Sequence, residues 1–310
     1  LTSNPLSPES FPLKFLTLKK ESMRKLLLLS ILCPVVTIAQ QRVHLTLFGG
    51  LSNYSGDLQA HQFTLQQSNF AFGAGIKYDI SPHFALRFAF NHGTIEADDK
   101  KNPNPQFQAR NLSFISKINE GSLLLEYTLL DLEEKRISPF VYSGVTVFHF
   151  NPYAYDSSGN KVFLKPLSTE GEGMAQYPDR KPYSLTQVAI PFGGGIKFRI
   201  SDNVVLAYEV TLRKTFTDYL DDVSKQYVDQ FALASARGLK AVSMAYRGDE
   251  VKGGNTTYPE EGFIRGGPKY KDWYYFTGFT IYIGLGSGNG GSLGHGVRGG
   301  KNRLGCPNVL

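Results

Sequence analysis

The sequence predicts an all-β protein: an eight-stranded antiparallel outer-membrane β-barrel with long external loops, one of them partly helical, and a flexible C-terminal periplasmic tail. Three observations predict it. The first is the stretch 183–224, YSLTQVAIPFGGGIKFRISDNVVLAYEVTLRKTFTDYLDDVS. Val188, Ile190, Phe192, Ile196, Phe198 and Ile200 fall on one face, and Gln187, Ala189, Gly193, Gly195, Lys197 and Arg199 on the other. After Ser201-Asp202-Asn203 the alternation resumes, with Val204, Leu206, Tyr208, Val210 and Leu212 opposite Ala207, Glu209, Thr211, Arg213 and Thr215. This is a long hairpin with one greasy face and one small-or-charged face. A soluble sheet buries the greasy face; a membrane barrel turns it to lipid and closes the polar face around a lumen. The second observation is strand length, which exceeds the roughly 9–11 residues that cross a bilayer at a tilt, against about 5–6 for soluble strands. The third is a strict alternation of short and long links.

Taken in order, residues 1–39 stand apart. Residues 1–22 are unpatterned and read as an over-called start. Met23 then opens an export signal: Arg24-Lys25, an apolar run from Leu26 to Ile38, and Thr37-Ile38-Ala39 before Gln40. The run is too short for a retained spanning helix, and Leu32 before Cys33 is too bulky for a lipoprotein site. The mature chain then starts near Gln40 in an oxidising compartment with Cys306 as its one cysteine, which excludes an internal disulfide.

Residues 40–285 supply the barrel. The first strand is 43–51. The second, 70–80, carries Phe70, Phe72, Ile76, Tyr78 and Ile80 on one face. The third sets Phe84, Leu86, Phe88 and Phe90 against Ala85, Arg87, Ala89 and Asn91. The fourth and fifth are 121–129 and 140–150, the sixth and seventh form the hairpin above, and the eighth is 273–285. In the eighth, Trp273, Tyr275, Phe279, Ile281 and Ile283 form the apolar face, and the opening Trp-Tyr-Tyr-Phe reads as an interfacial girdle. Long links span 52–69, 96–120, 152–185 and 217–272, so both termini belong on the periplasmic side. A barrel of eight strands fills its interior with side chains. Lys77, Asp79, Arg87, Glu126, His149, Lys197, Arg199, Glu209 and Arg213 are the expected inward network, structural rather than transporting.

The chemistry is mostly negative. The six histidines (His44, His61, His83, His92, His149, His295) have no metal spacing, and no GxSxG, Walker or dinucleotide fingerprint appears. Neither a catalytic residue, a cofactor site nor a metal site is expected. The formal charge of +6 is too diffuse for nucleic acid. Asp218, Asp221 and Asp222, beside Tyr219, are rich enough in carboxylates to raise a cation site. The plainer expectation is that they begin a short helix and order the loop, with 227–246 helical over the barrel mouth and 247–271 irregular.

Several stretches are similar to the PorG-type outer-membrane proteins of the Bacteroidetes type IX secretion system. They are SNYSGDL (52–58), FNPYA (150–154), PLSTEGEG (166–173), TDYLDDVS (217–224), KDWYYFTG (271–278) and the terminal Cys306-Pro307. The resemblance spans nearly the whole mature chain, in order. It implies a non-enzymatic outer-membrane component that anchors the periplasmic PorK–PorN ring of the secretion machine. Alternatives are a small-molecule or ion conduit and a lipid-modifying barrel. The tail, 286–310, is glycine-rich and ends on Arg298, Lys301, Arg303, Leu304, Cys306 and Pro307. That composition reads as a linker bearing a docking patch for the ring, with Cys306 open to an intermolecular contact.

Overall fold

The computed structural model describes residues 42–59, 67–269 and 271–285. The expected signal segment and the tail 286–310, with Arg298, Lys301, Arg303, Leu304, Cys306 and Pro307, lie outside the described residues.

Among the described residues ten strands are present: β1 (Val43–Ser55), β2 (Asn69–Asp79), β3 (Phe84–Asp98), β4 (Ser113–Thr128), β5 (Ile137–His149), β6 (Tyr153–Tyr155), β7 (Lys161–Phe163), β8 (Thr186–Arg199), β9 (Val204–Thr215) and β10 (Trp273–Gly284). Eight of them pair in the order β3-β2-β1-β10-β9-β8-β5-β4, and β4 returns to β3, so the antiparallel barrel is closed. Closure satisfies every strand edge, which a bilayer requires of a spanning sheet. The remaining two strands, β6 and β7, form a small external hairpin joined to β4 through Ile115 and Tyr153.

Alternation decides the faces. Phe70, Phe72, Phe88, Leu123, Val145, Ile190, Ile196 and Phe279 point outward and are exposed, Phe88 at 58%. Their sequence neighbours Ala71, Ala89, Lys197 and Thr280 are buried. On β3 the outward series is apolar from Phe84 through Phe90 and then turns polar at His92. The register carries that change round the barrel: His92 pairs with Asn119, Asn119 with His149, and His149 with Thr186. Below this polar ring β3 offers seven residues (84–90) and β5 twelve (137–148), which at about 3.3 Å each and a tilt near 40° give an apolar belt roughly 18–30 Å tall, bracketing the roughly 25 Å band of a membrane barrel. The eight-stranded barrel is thus a transmembrane one.

His149 accordingly does not join the lumen. It faces outward at the belt edge, where its Nδ1 lies 3.0 Å from Thr186 Oγ1. Phase explains the correction: on β5 the inward positions are Phe140, Tyr142, Thr146 and Phe148, so one step along the strand puts His149 outside. The girdle expected at the start of β10 is also split by phase. Trp273 packs edge-on against Phe192 on the outer face, whereas Tyr274 and Phe276 enter the lumen.

Short links (80–83, 129–136 and 200–203) and the barrel's two chain ends share one end of the barrel, and the long links share the other. The link expected across 96–120 is largely strand: β3 and β4 continue past the belt to Asp98 and Ser113 as a projecting ribbon, and the true link is 99–112. It holds a short helix, α1 (Pro105–Arg110), capped by the Asn104 side chain on the Gln106 N–H.

Candidate functional site

Two buried polar systems fill the molecule, one within the barrel and one above it. In the lumen four cations face four carboxylates: Lys77, Arg87, Lys197 and Arg213 against Asp79, Glu120, Glu126 and Glu209. They are layered. Nearest the short turns, Asp79 bridges Lys77 at 2.8 Å and His44 at 2.5 Å. Next, Lys197 pairs with Glu126 and donates to Thr128 Oγ1 at 2.8 Å, and Arg87 meets Glu209 at 3.1 Å. Tyr282 joins the two pairs, accepting from Arg87 at 2.8 Å. Higher up, Arg213 donates through Nε to Glu120 at 3.1 Å, and Glu120 also accepts from Tyr274 at 2.7 Å and Asn91 at 2.9 Å.

Pairing and hydrogen bonding of every charge are what a low-dielectric interior demands. Arg199 sits half-buried at the short-turn rim. Glu120 falls outside the expected network because the apolar alternation marks the fourth strand only from Gly121, although stepping back by twos from Glu126 reaches it. Above Arg213 the lumen becomes apolar, with Ile95, Phe114, Ile118, Phe148 and Phe276 buried together and continuous with the structure above.

That upper structure is a cap built from all four long links. The short helix expected to begin at 219–223 does not form; the segment is a series of bends, and Asp222 adopts the left-handed region at φ 66. Its acids face inward rather than lying along a helix, because the surrounding loops offer donors that a helix could not reach. Asp222 accepts from Tyr183 Oη and Thr169 Oγ1, both at 2.6 Å. Asp218 accepts from Ser224 Oγ at 2.7 Å, and Asp221 from Tyr54 Oη at 2.6 Å. Tyr219 stacks on Tyr183 with ring centroids 4.7 Å apart.

The helical expectation for 227–246 is met by α2 (Gln230–Arg237) and α3 (Leu239–Ala245), broken at Gly238. Leu233, Ala241 and Ala245 pack these helices down beside Met174 and Val228, and Met244 joins the core that continues from the lumen.

Two arginines knot the loops. Arg265 donates to Glu170 Oε1 at 3.0 Å, the Asp222 carbonyl at 2.6 Å and the Ala245 carbonyl at 3.1 Å. Arg110 forks onto both oxygens of Asp99, at 2.7 and 2.8 Å, and reaches the carbonyls of Asp57 and Arg265. Burial raises the Asp99 carboxyl despite that partner, and lifts Glu172, beside Asp222 and Glu170, to about 8. Neither arginine, nor Glu170, stands out in the sequence, because the partners that tie them to other loops are 53–155 residues distant.

The cap brings the separated stretches together. Tyr54 and Asp57, Thr169 and Glu170, Asp218 to Ser224, and Asp272 meet in one buried network, and Phe150 stacks on Tyr183 beside it. Among the described residues no group of three His, Cys, Asp or Glu side chains is arranged to hold a metal ion. A shallow cleft of about 480 Å³ opens beside the cap, lined by Phe163, Lys165, Ser168, Glu172, Pro182 and Arg237 among others.

A family model described as "Domain of unknown function (DUF6089)" matches residues 23–241. No curated protein sequence matches the chain. Among solved structures, the chain is similar to Neisserial surface protein A (NspA), with 10% identity, 78% of this chain and 96% of that one covered, and a TM-score of 0.38. It is also similar to the outer membrane protein OprG from Pseudomonas aeruginosa, with 9% identity, 79% and 98% coverage, and a TM-score of 0.35. A major outer membrane protein from Thermus thermophilus has 12% identity, 78% and 98% coverage, and a TM-score of 0.35.

Proposed function

The chain belongs to the DUF6089 family, and from that premise we propose that it is a PorG-like outer-membrane protein that anchors a PorK–PorN-like periplasmic ring of a type IX secretion machine. The observation that carries this reading is the convergence of the PorG-like stretches. Residues scattered from Tyr54 to Asp272 are the ones that build the cap and close it onto the barrel. Stretches that pack on one another support a shared architecture, not a shared composition. The lumen, occupied by paired charges and aromatic rings, weighs against the conduit alternative.

The ring-docking element in this reading is the tail; the last described residues before it, Gly284 and Leu285, bond Asn203 and Val43 at the short-turn end. Deleting 298–310 should leave the barrel in the membrane, release the ring proteins from a mild-detergent pull-down of the tagged protein, and block secretion. A truncated strain that still secretes and still co-purifies the ring would move docking to the short turns, above all 130–139, where Leu130 is exposed.

A further inference from the structure

Where the cap meets the barrel, four carboxyl groups crowd around one tyrosine. Tyr54 Oη lies 2.6 Å from Asp221 Oδ2 and 3.1 Å from Asp272 Oδ1. A hydroxyl has one hydrogen to give. If it goes to Asp221, the approach of Asp272 is attractive only when Asp272 supplies the second hydrogen. Its other oxygen is already an acceptor, taking the Leu220 N–H at 2.9 Å, which leaves the proton on Oδ1. Asp221 is likewise filled on its second oxygen by the Val223 N–H at 2.9 Å. The remaining two carboxyls, Asp57 and Asp218, each leave one buried oxygen without a donor, Asp57 Oδ2 and Asp218 Oδ1.

Two nearby cations are committed elsewhere, Arg110 to Asp99 and Arg265 to Glu170, and Lys271, itself half in solvent, reaches the edge of the cluster 3.9 Å from Asp218. Tyr54, Asp221 and Asp272 are 0–1% exposed, so water does not screen the charge. A buried carboxylate without a cation takes up a proton instead.

We propose that a proton held between Asp272 and Tyr54, relayed by the tyrosine hydroxyl to Asp221, locks the loop 217–272 onto the barrel mouth, so that the cap is closed in acid and loosens when this cluster ionises. The loop starts and ends at this point: Thr217 and Asp272 pair through the backbone, and Thr215 Oγ1 donates to the Asp272 carbonyl at 2.6 Å. Repulsion here therefore acts on the hinge of the whole segment.

The direction of titration agrees. Burial, then the Asp221 and Asp218 charges, raises Asp272 well above the carboxylate range. Burial, then Asp57, does the same to Asp221. Burial lifts Asp57 to about 6 against the lowering hydrogen bond from Gly267, with Asp218 and Glu170 adding and Arg110 opposing. A group whose folded value is raised binds more protons folded than unfolded. Its contribution is full below the ordinary carboxylate value near 4 and is lost as pH rises through the folded value.

Hydrogen exchange on the full mature chain in detergent or nanodiscs, at about pH 5.5 and about pH 8.5 with labelling times corrected for the intrinsic rate, tests this. Protection of 217–272 is expected to fall on the order of tenfold or more at the higher pH, while β2, β8 and β9 hold. Asp272→Asn gives Tyr54 the same hydrogen without titrating, so its cap should lose most of the pH dependence and stay largely protected at the higher pH. Tyr54→Phe removes the relay, so its cap should exchange fast even in acid. A wild-type cap indifferent to pH, or an Asp272→Asn cap as pH-sensitive as wild type, overturns the proposal. So does protection that EDTA abolishes and calcium restores, since a metal ion would then be the neutralising charge.

Discussion

At the scale of single residues the lumen is the sensitive part. Lys197 is 1% exposed, and its ammonium is held by Glu126 and Thr128. Lys197→Met should leave Glu126 short of a partner and cost about 3–5 kcal/mol. Pairing it with Glu126→Leu should recover part of the loss, though not all, because Arg87 also leans on Glu126 at 3.7 Å. Urea titration of barrel refolding in lipid vesicles measures both. On the opposite face, Ile196 points into hydrocarbon, and Ile196→Arg should cost roughly 2–4 kcal/mol and diminish the heat-modifiable gel shift. Unchanged folding in that variant would reverse the assigned faces.

At the scale of elements, the strand glycines divide into two kinds. A Cβ on Gly195 would run into the Tyr208 carbonyl, and one on Gly193 into the Val210 carbonyl, both backbone atoms of β9. Bulk is therefore excluded at these positions by the wall itself rather than by a crowded lumen. The neighbouring strand approaches too closely, as it does where a barrel wall bends. Gly49 and Gly121, by contrast, have open space at the Cβ position. Gly195→Val should abolish assembly of the heat-modifiable form, whereas Gly121→Val should fold as wild type or better, given the β-propensity of valine.

The same reasoning applies to the cap. The acids Asp218, Asp221 and Asp222 predict a helix over 219–223, and the segment is instead irregular, because Asp221 and Asp222 take donors from Tyr54, Thr169 and Tyr183, distant in the chain, while Asp218 accepts from Ser224.

For the whole molecule, the short-turn end carries both ends of the barrel segment, Val43 and Gly284, and the long-link end carries the cap. With the orientation usual for outer-membrane barrels, we propose that 217–272 lies outside and the short-turn end faces the periplasm. An epitope inserted near Glu260, on an exposed part of the loop, should be labelled on intact cells, and one after residue 286 only after permeabilisation. Labelling of the tail on intact cells would invert the barrel.

The sequence by itself determined the barrel, its strand count, its lipid face and its alternation of links. These follow from period-two hydrophobicity and link length, which are local properties that each strand carries whatever its neighbours do. It also carried most of the inward charges, Lys77, Arg87, Glu126, Lys197, Glu209 and Arg213, because phase along a strand fixes facing. His149 escaped, since the phase of β5 is written by inward aromatics, Phe140 and Tyr142, that look like lipid-facing residues. Only the tertiary structure decided the cap. Arg110, Arg265, Glu170 and Asp272 have no periodicity to betray them, and their meaning lies in partners brought near by barrel closure. A buried charge is specified by what surrounds it, and in this cap the surroundings are four loops apart in the chain.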